Sequence, residues 1–227
     1  MERASTFFSD QERSRIAAAV AEAEKTTAGE IVPVVATASG DYDRAEDVVG
    51  LWVAALALAG FWWFSLPAAE AGGWAAYEIA VSWKGLLVAI GVIVAGFILG
   101  AALATQVGWL RRLFTSRKQM RSEVERAAYR AFFEHGLRET QEKTGILIYL
   151  SLFERMVTVS GDQAIAEKLS DRDWAQVRDL ILKGIKEGNP GNGIVAGVEQ
   201  CGRILTEHFP IEPGDVNELS NDLRIID

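Results

Sequence analysis

The sequence predicts an α/β protein: one soluble domain with a short mixed sheet, interrupted by a two-helix transmembrane hairpin. Two observations carry that prediction. The apolar runs from Val48 to Phe64 and from Gly85 to Ala104 contain no charged residue. The second run has about the 20 residues an α-helix needs to cross a bilayer core of ~30 Å, and the first reaches that length with Ser65 and Leu66. In addition, a helix-to-strand corner occurs twice, as EKTTAGEIVPVV before the hairpin and EKTGILIYLS after it. A strand, a long crossover containing a helix and a second strand make a βαβ unit, which is parallel and right-handed. A tight turn and a third strand then add an antiparallel pair.

The hairpin follows from polarity and length. Each run is apolar all round, whereas a core helix keeps a polar stripe. The 47 residues ahead of the first run already carry helix and strand patterning, which argues against a signal peptide. Only Ser65 to Lys84 connects the runs, with Pro67, Gly72 and Gly73 as breakers and Trp74, Tyr77 and Trp83 as interface anchors. Such a short connection places both flanking segments on one side of the membrane. Arg111, Arg112, Arg117, Lys118 and Arg121 follow the second run, while the loop carries Lys84 alone among the basic residues. The positive-inside bias therefore predicts a two-span inner-membrane protein with both termini in the cytoplasm. The predicted organisation is an N-terminal domain part at 1–47, the hairpin at 48–104, a C-terminal domain part at 105–209 and an acidic tail at 210–227.

Charge is unevenly distributed. The formal net charge of -8 argues against nucleic-acid binding. From Gln106 to Gly145, however, nine Lys/Arg face five Asp/Glu, and from Glu207 to Asp227 one Arg faces six Asp/Glu. Such a juxtamembrane basic cluster commonly serves topology and attraction to anionic lipid head groups; simple topogenesis is the expected role, with specific lipid sensing the alternative. The single cysteine, Cys201, excludes an internal disulfide and falls on the apolar face of a predicted helix, where packing is the expected role.

In chain order, Ser9-Asp10-Gln11-Glu12 fits a capping box, with Phe7 and Phe8 as staple residues. A helix follows to about Thr26, with Gly29 placed as a C-terminal cap. Ile31 to Thr37 reads as a strand that Pro33 pushes towards an edge or a bulge. Trp109 to Phe114 is amphipathic and predicted to lie at the membrane interface. A long helix is predicted over 116–143, then strands over Ile146–Leu152 and Met156–Ser160 joined by Phe153-Glu154-Arg155. Gly161 to Lys168 reads as a short helix, and Ser170-Asp171-Arg172-Asp173 caps another that ends at Gly188. The loop Asn189-Pro190-Gly191-Asn192-Gly193 leads to a last helix from Ile194 to about His208. The tail, through Pro213-Gly214-Asp215, is expected to return as a strap or edge strand at Leu223–Ile226.

Few residues carry chemistry. His135 and His208 lie in predicted helices without a serine or cysteine motif, so Ser-His and Cys-His catalysis have little support. The GNPGNG run lacks the Lys-Ser/Thr of a phosphate loop and reads as a junction between helix caps. Asp162, Asp171 and Asp173 form the candidate cation cluster, since carboxylates on loops past strand ends can gather Ca²⁺ or Mg²⁺. Asp171 and Asp173 also occupy the first turn of a helix, where acidic residues favour the dipole, so capping is the competing role.

The run TGILIYLSLFERMVTVSGDQAIAEKLSDRDWAQV and the helix GNGIVAGVEQCGRIL resemble the TPM domain family, which includes a thylakoid-lumen acid phosphatase, a photosystem II repair protein and a nematode acetylcholine-receptor modulator. The opening FFSDQERSRIAAAVAEAEKTTAGEIVPVV is similar to that domain's first helix and strand. The tail HFPIEPGDVNELSNDL resembles a bacterial membrane subgroup whose domain is split around a hairpin. The resemblance implies a small α/β/α sandwich. It also implies weak phosphatase activity and calcium binding, linked in some members to acidic residues around a Gly-x-Gly-type turn. Here that turn reads Ser160-Gly161-Asp162, without the glycine pair and the following glutamate, and Asp162 with the Asp171/Asp173 pair fall at comparable places.

The functional expectation is a non-catalytic accessory or scaffolding module at the cytoplasmic membrane face. Its expected partners are the bilayer, anionic lipids and a membrane or cytoplasmic protein. A weak phosphatase dependent on Ca²⁺ or Mg²⁺ is the alternative. Gly96 and Gly100 form a GxxxG motif, which serves either a homodimer or packing against the first span, where Ala55 and Ala59 offer a small-residue pair.

Overall fold

The computed structural model describes residues 3–72, 83–138, 140, 143–211 and 217–227. Trp74, Tyr77 and Pro213 to Asp215 lie outside them. The chain forms two compact units: one runs from Asp41 to Arg117, and the other joins the segment up to Gly40 with Lys118–Asp227.

The second unit is built on a sheet. Helices α1 (Ala4–Phe7) and α2 (Asp10–Glu24) precede strand β1 (Glu30–Ala36). The Ser9/Glu12 capping box is formed: Glu12 N–H donates to Ser9 Oγ at 3.3 Å and Ser9 N–H to Glu12 Oε2 at 3.0 Å. Gly29 does not cap α2, whose C-cap is Lys25 in ordinary helical backbone. A side chain at Gly29 would instead meet the Leu205 methyls at 2.9 Å, so close packing explains this glycine.

In the first unit, α3 (Asp43–Gly72) and α4 (Trp83–Gln106) are long helices and α5 (Gly108–Phe114) is short. Helix α3 runs past Leu66 and Pro67 to Gly72, further than the proline and glycines led us to expect. Its stretch Arg44–Trp63 and the whole of α4 are long and apolar enough to cross a membrane, and only 22 % and 11 % of them are buried inside the protein.

The second unit resumes with α6 (Arg117–Glu134), β2 (Gly145–Ser151), β3 (Met156–Gly161), α7 (Gln163–Ala166), α8 (Asp171–Lys186), α9 (Pro190–His208) and β4 (Arg224–Ile226). Helix α6 ends earlier than predicted. Gly136 adopts φ 75°, the amide of Leu137 reaches the carbonyl of Phe132 at 3.3 Å, and that of Gly136 reaches Phe133 at 3.1 Å. These two bonds are the Schellman arrangement that a left-handed glycine permits.

The sheet order is β3-β2-β1-β4. β1 and β2 pair in parallel from Glu30↔Gly145 to Ala36↔Ser151, β2 and β3 are antiparallel, and the tail strand β4 lies parallel to β1 over Val34–Ala36. β1 is therefore interior along part of its length, which corrects the expected edge position. Parallel-ladder alternation accounts for Pro33. The Glu30 amide donates towards β2 and that of Thr37 towards β4, so Pro33, in step with Thr37, turns its donor-less nitrogen to the β4 side. β4 begins opposite Val34, one residue further on, so no ladder bond is lost.

Both faces of the sheet are covered, which is why β1 and β2 are apolar without alternation. Ile31, Val35, Ile146, Ile148 and Leu150 pack with α2, α8 and α9 residues, including Ile16, Val20, Val177, Ile181 and Val198. Val32, Val34, Leu147 and Tyr149 pack with Val124, Ala128, Ala131 and Phe132 of α6. This unit is an α/β/α sandwich. Helix α9 starts at Pro190, so the expected glycine loop is the first turn of a helix with proline at N1. Its glycines serve close crossing: a Cβ on Gly184 of α8 would lie 2.4 Å from the Cα of Gly193.

Candidate functional site

Ligands in open α/β sheets bind beyond the carboxyl ends of parallel strands, which here are the ends of β1 and β2. Four polar side chains meet there: Ser39 after β1, Tyr149 and Ser151 on β2, and Glu154 in the turn to β3. All are buried. The Ser39 hydroxyl donates to Ser151 Oγ at 2.9 Å and contacts the Tyr149 hydroxyl at 3.2 Å. Ser151 Oγ donates to Glu154 Oε2, and Glu154 Oε1 accepts the Ser39 amide at 2.9 Å. With Ser39 donating to Ser151, the phenol is left as the donor to Ser39, and the chain of donors runs Tyr149, Ser39, Ser151, Glu154.

Burial raises the Tyr149 pKa above the usual phenol value; the Ser39 hydrogen bond opposes this, Glu154 adds to it and Arg130 counters it. The phenol therefore stays protonated at neutral pH and keeps its donor role. Arg155 holds the turn in left-handed backbone at φ 53°, and its amide bonds the Leu152 carbonyl at 3.3 Å. Chemically the cluster is a fastening. Its carboxylate ties the loop after β1 to the turn after β2, and no serine is exposed to a substrate. Sequence reasoning missed these residues, although Ser151 and Glu154 share the Ser-x-x-Glu spacing by which a hydroxyl and a carboxylate meet across one turn.

Two of the three candidate cation residues serve as helix caps. Asp162 caps α7, with Oδ1 accepting the Gln163 amide at 2.7 Å, while Oδ2 is buried without a hydrogen-bond partner. Asp173 completes the Ser170 capping box: its Oδ2 accepts the Ser170 hydroxyl at 2.7 Å and amide at 2.9 Å, and these bonds hold its carboxyl below the usual range. Asp171 is exposed in the same first turn. Among the described residues, no three His, Cys, Asp or Glu side chains are grouped so as to hold a metal. The geometry gives Asp162 and Asp173 capping roles, at the starts of two different helices. Cys201 is buried and its thiol is pushed up to about 12 by desolvation, which suits packing.

In the first unit, Arg111 pairs with Glu46 at 3.1 Å, and Arg112 lies beside it on α5. Arg117 is exposed. In the second unit, Lys118 is exposed and Arg121 pairs with Glu125 at 2.9 Å. Gly96 and Gly100 face α3. A Cβ on Gly96 would lie 2.9 Å from the Cα of Ala54, and one on Gly100 would lie 2.9 Å from the Cα of Gly50 and 2.8 Å from the Cβ of Val53. The small-residue groove on α3 is thus Gly50, Val53, Ala54 and Ala57, in place of the expected Ala55 and Ala59.

No curated protein matches the chain. Its structure is similar to the solution structure of the BA42 protein from the psychrophilic bacterium Bizionia argentinensis, with a TM-score of 0.56 over 96 % of this chain and 94 % of that one. At 19 % identity this likeness establishes a shared fold. The family model described as the TPM domain matches residues 102–204, which contain α6, the β2–β3 pair, α8 and most of α9. Residues 102–204, which supply α6, β2, β3 and α8 of the sandwich in the second unit, thus match the TPM domain family.

Proposed function

We propose that the protein is a membrane-anchored TPM-domain accessory module, held at the cytoplasmic membrane face by the α3/α4 hairpin and acting through contacts with lipid and protein. One observation carries this reading: the outward surfaces of α3 and α4 are lined by large apolar side chains, among them Leu51, Leu56, Leu87, Ile98 and Leu99, each more than half exposed. A core helix of a soluble protein would bury that surface; in water it amounts to an apolar patch that lipid removes from contact with solvent. The non-catalytic part of the reading is supported by the carboxylates themselves. Glu154 is engaged in fastening two loops and Asp173 in capping a helix.

Two experiments test the reading. Native membranes washed with alkaline carbonate should retain the full chain, and its release into the supernatant would contradict anchoring. Purified full-length protein with a generic phosphate ester, with and without Ca²⁺ or Mg²⁺, should show no turnover above background. Turnover that disappears in Asp162→Ala would replace the accessory reading with the phosphatase one.

A further inference from the structure

Helix α5 is turned by an ion pair. Val107 alone separates it from α4, and Thr115 closes it, its hydroxyl donating to the Arg111 carbonyl at 2.8 Å. Within its seven residues, Trp109 and Leu113 stand four apart and share a face, while Arg111 is about half a turn away. Arg111 reaches inward to Glu46 of α3 at 3.1 Å, and both side chains are more than four-fifths buried. That pair fixes the roll of the helix. Trp109 and Leu113, each 69 % exposed, are thereby turned away from the hairpin.

We propose that α5 is an interfacial lipid-binding helix, with Trp109 and Leu113 inserted at the boundary between head groups and acyl chains and Arg112 and Arg117 against the phosphates of anionic phospholipids. The inference rests on the hairpin spanning a bilayer and adds what its cytoplasmic end would recognise.

Two features select lipid as the occupant. Large apolar side chains are exposed on both successive helices, Leu99 and Leu103 on α4 and Trp109 and Leu113 on α5. Charge is complementary as well, since no acidic residue occurs from Ile79 to Ser122, while Arg111, Arg112, Arg117, Lys118 and Arg121 crowd its end. An amphipathic helix with aromatic and leucine residues on one side and arginine on the other partitions into an anionic interface. The Glu46–Arg111 pair supplies preorganisation, because α5 then reaches the interface already rolled with its apolar face outward.

The test uses the full chain in nanodiscs of phosphatidylcholine alone or mixed with phosphatidylglycerol. Cys201 is fully buried, so single cysteines introduced as Leu113→Cys or Leu99→Cys take a fluorescent label selectively. Position 99 should be quenched by acyl-chain nitroxides in both membranes. Position 113 should be quenched at head-group depth, more strongly with phosphatidylglycerol, and each of Arg112→Glu and Arg117→Glu should lower that inserted fraction's partition ratio roughly fivefold or more. The proposal is overturned by a label at 113 that stays open to aqueous quencher in both membranes, or that inserts equally into both. Concentration-dependent shielding of 113 in lipid-free micelles would mark a second copy as the occupant and also overturn it. A water-exposed label at 99 would sink the membrane reading itself, so the two failures are distinguishable.

Discussion

The carboxyl pair Glu24 and Glu30 should make the sandwich less stable as pH rises through neutrality. Glu24 Oε1 accepts the Ile31 amide at 2.9 Å, and the Asn217 side-chain amide donates to Oε2 at 3.2 Å. Glu30, 6 % exposed, accepts the Glu218 amide at 2.8 Å and shares a hydrogen bond with Glu24. Desolvation first, and then the Glu30 charge, push Glu24 up from 4.5 to about 8. The folded chain thus holds a proton that the unfolded chain releases near its ordinary value. A raised folded pKa contributes stability that is fully present below the unfolded pKa and is lost as pH climbs towards the folded one, at up to about 1.4 kcal/mol per pH unit. Over roughly three units that limit is about 4 kcal/mol, and partial solvation of Glu24 halves it to about 2 kcal/mol between pH ~5 and ~8. Glu24→Gln carries the proton's equivalent permanently, with its amide facing Glu30 and its carbonyl facing Ile31. Cys201 gives the assay, because a buried lone thiol is labelled only when the domain opens. Labelling rates in mild denaturant, normalised to the denatured chain at each pH, report the opening free energy. Wild type should lose about 2 kcal/mol across that range and Glu24→Gln less than about 0.5 kcal/mol. Parallel profiles for the two proteins would refute the shared-proton description.

Other perturbations follow from packing. Gly184→Ala places a methyl 2.4 Å from the Gly193 backbone, which cannot move like a side-chain tip, and should cost about 1–3 kcal/mol by the same labelling assay; an unchanged opening rate would show that α8 and α9 do not cross closely there. Ser9→Ala removes one half of the α2 capping box and should cost about 1 kcal/mol; a change within error would mean that α2 is held by its packing alone. The pair Ala54→Cys with Gly96→Cys should form a disulfide within single chains under mild oxidation, as the 2.9 Å approach of a Gly96 Cβ to Ala54 implies. Dimer bands with no intramolecular product would assign Gly96 to self-association instead.

What the sequence shows clearly is local. The two capping boxes, the β2–β3 hairpin and the left-handed end at Gly188 follow from hydroxyl, carboxylate and glycine spacing within a few residues. Pro33 misled in one respect, because a missing donor predicts an edge unless the ladder's alternation and the start of β4 are known, and β4 arrives from 190 residues away. Gly136 was passed over because the helical pattern around it reads on to Lys143, whereas one left-handed residue is enough to end a helix. The cluster of Ser39, Tyr149, Ser151 and Glu154 is assembled from segments more than 100 residues apart, with only the Ser151/Glu154 half visible as a local spacing. Asp173 was recognisable from the sequence as part of a cap, whereas Asp162 read as lying inside a helix from Gly161 and instead caps one that starts at Gln163; the feature that made both look like cation ligands, carboxylates at loop-to-helix junctions, is what caps use.

The proposal that α3 and α4 anchor the chain in a membrane is tested most directly by topology. Alkaline phosphatase and a cytosolic fluorescent reporter, fused separately after Asp227 and within the segment 73–82, should give opposite patterns. The expected result is fluorescence without phosphatase activity at the C-terminus, and phosphatase activity without fluorescence in the segment between α3 and α4. Phosphatase activity at the C-terminus would reverse the orientation, and fluorescence at both positions would show that α3 and α4 do not cross the membrane.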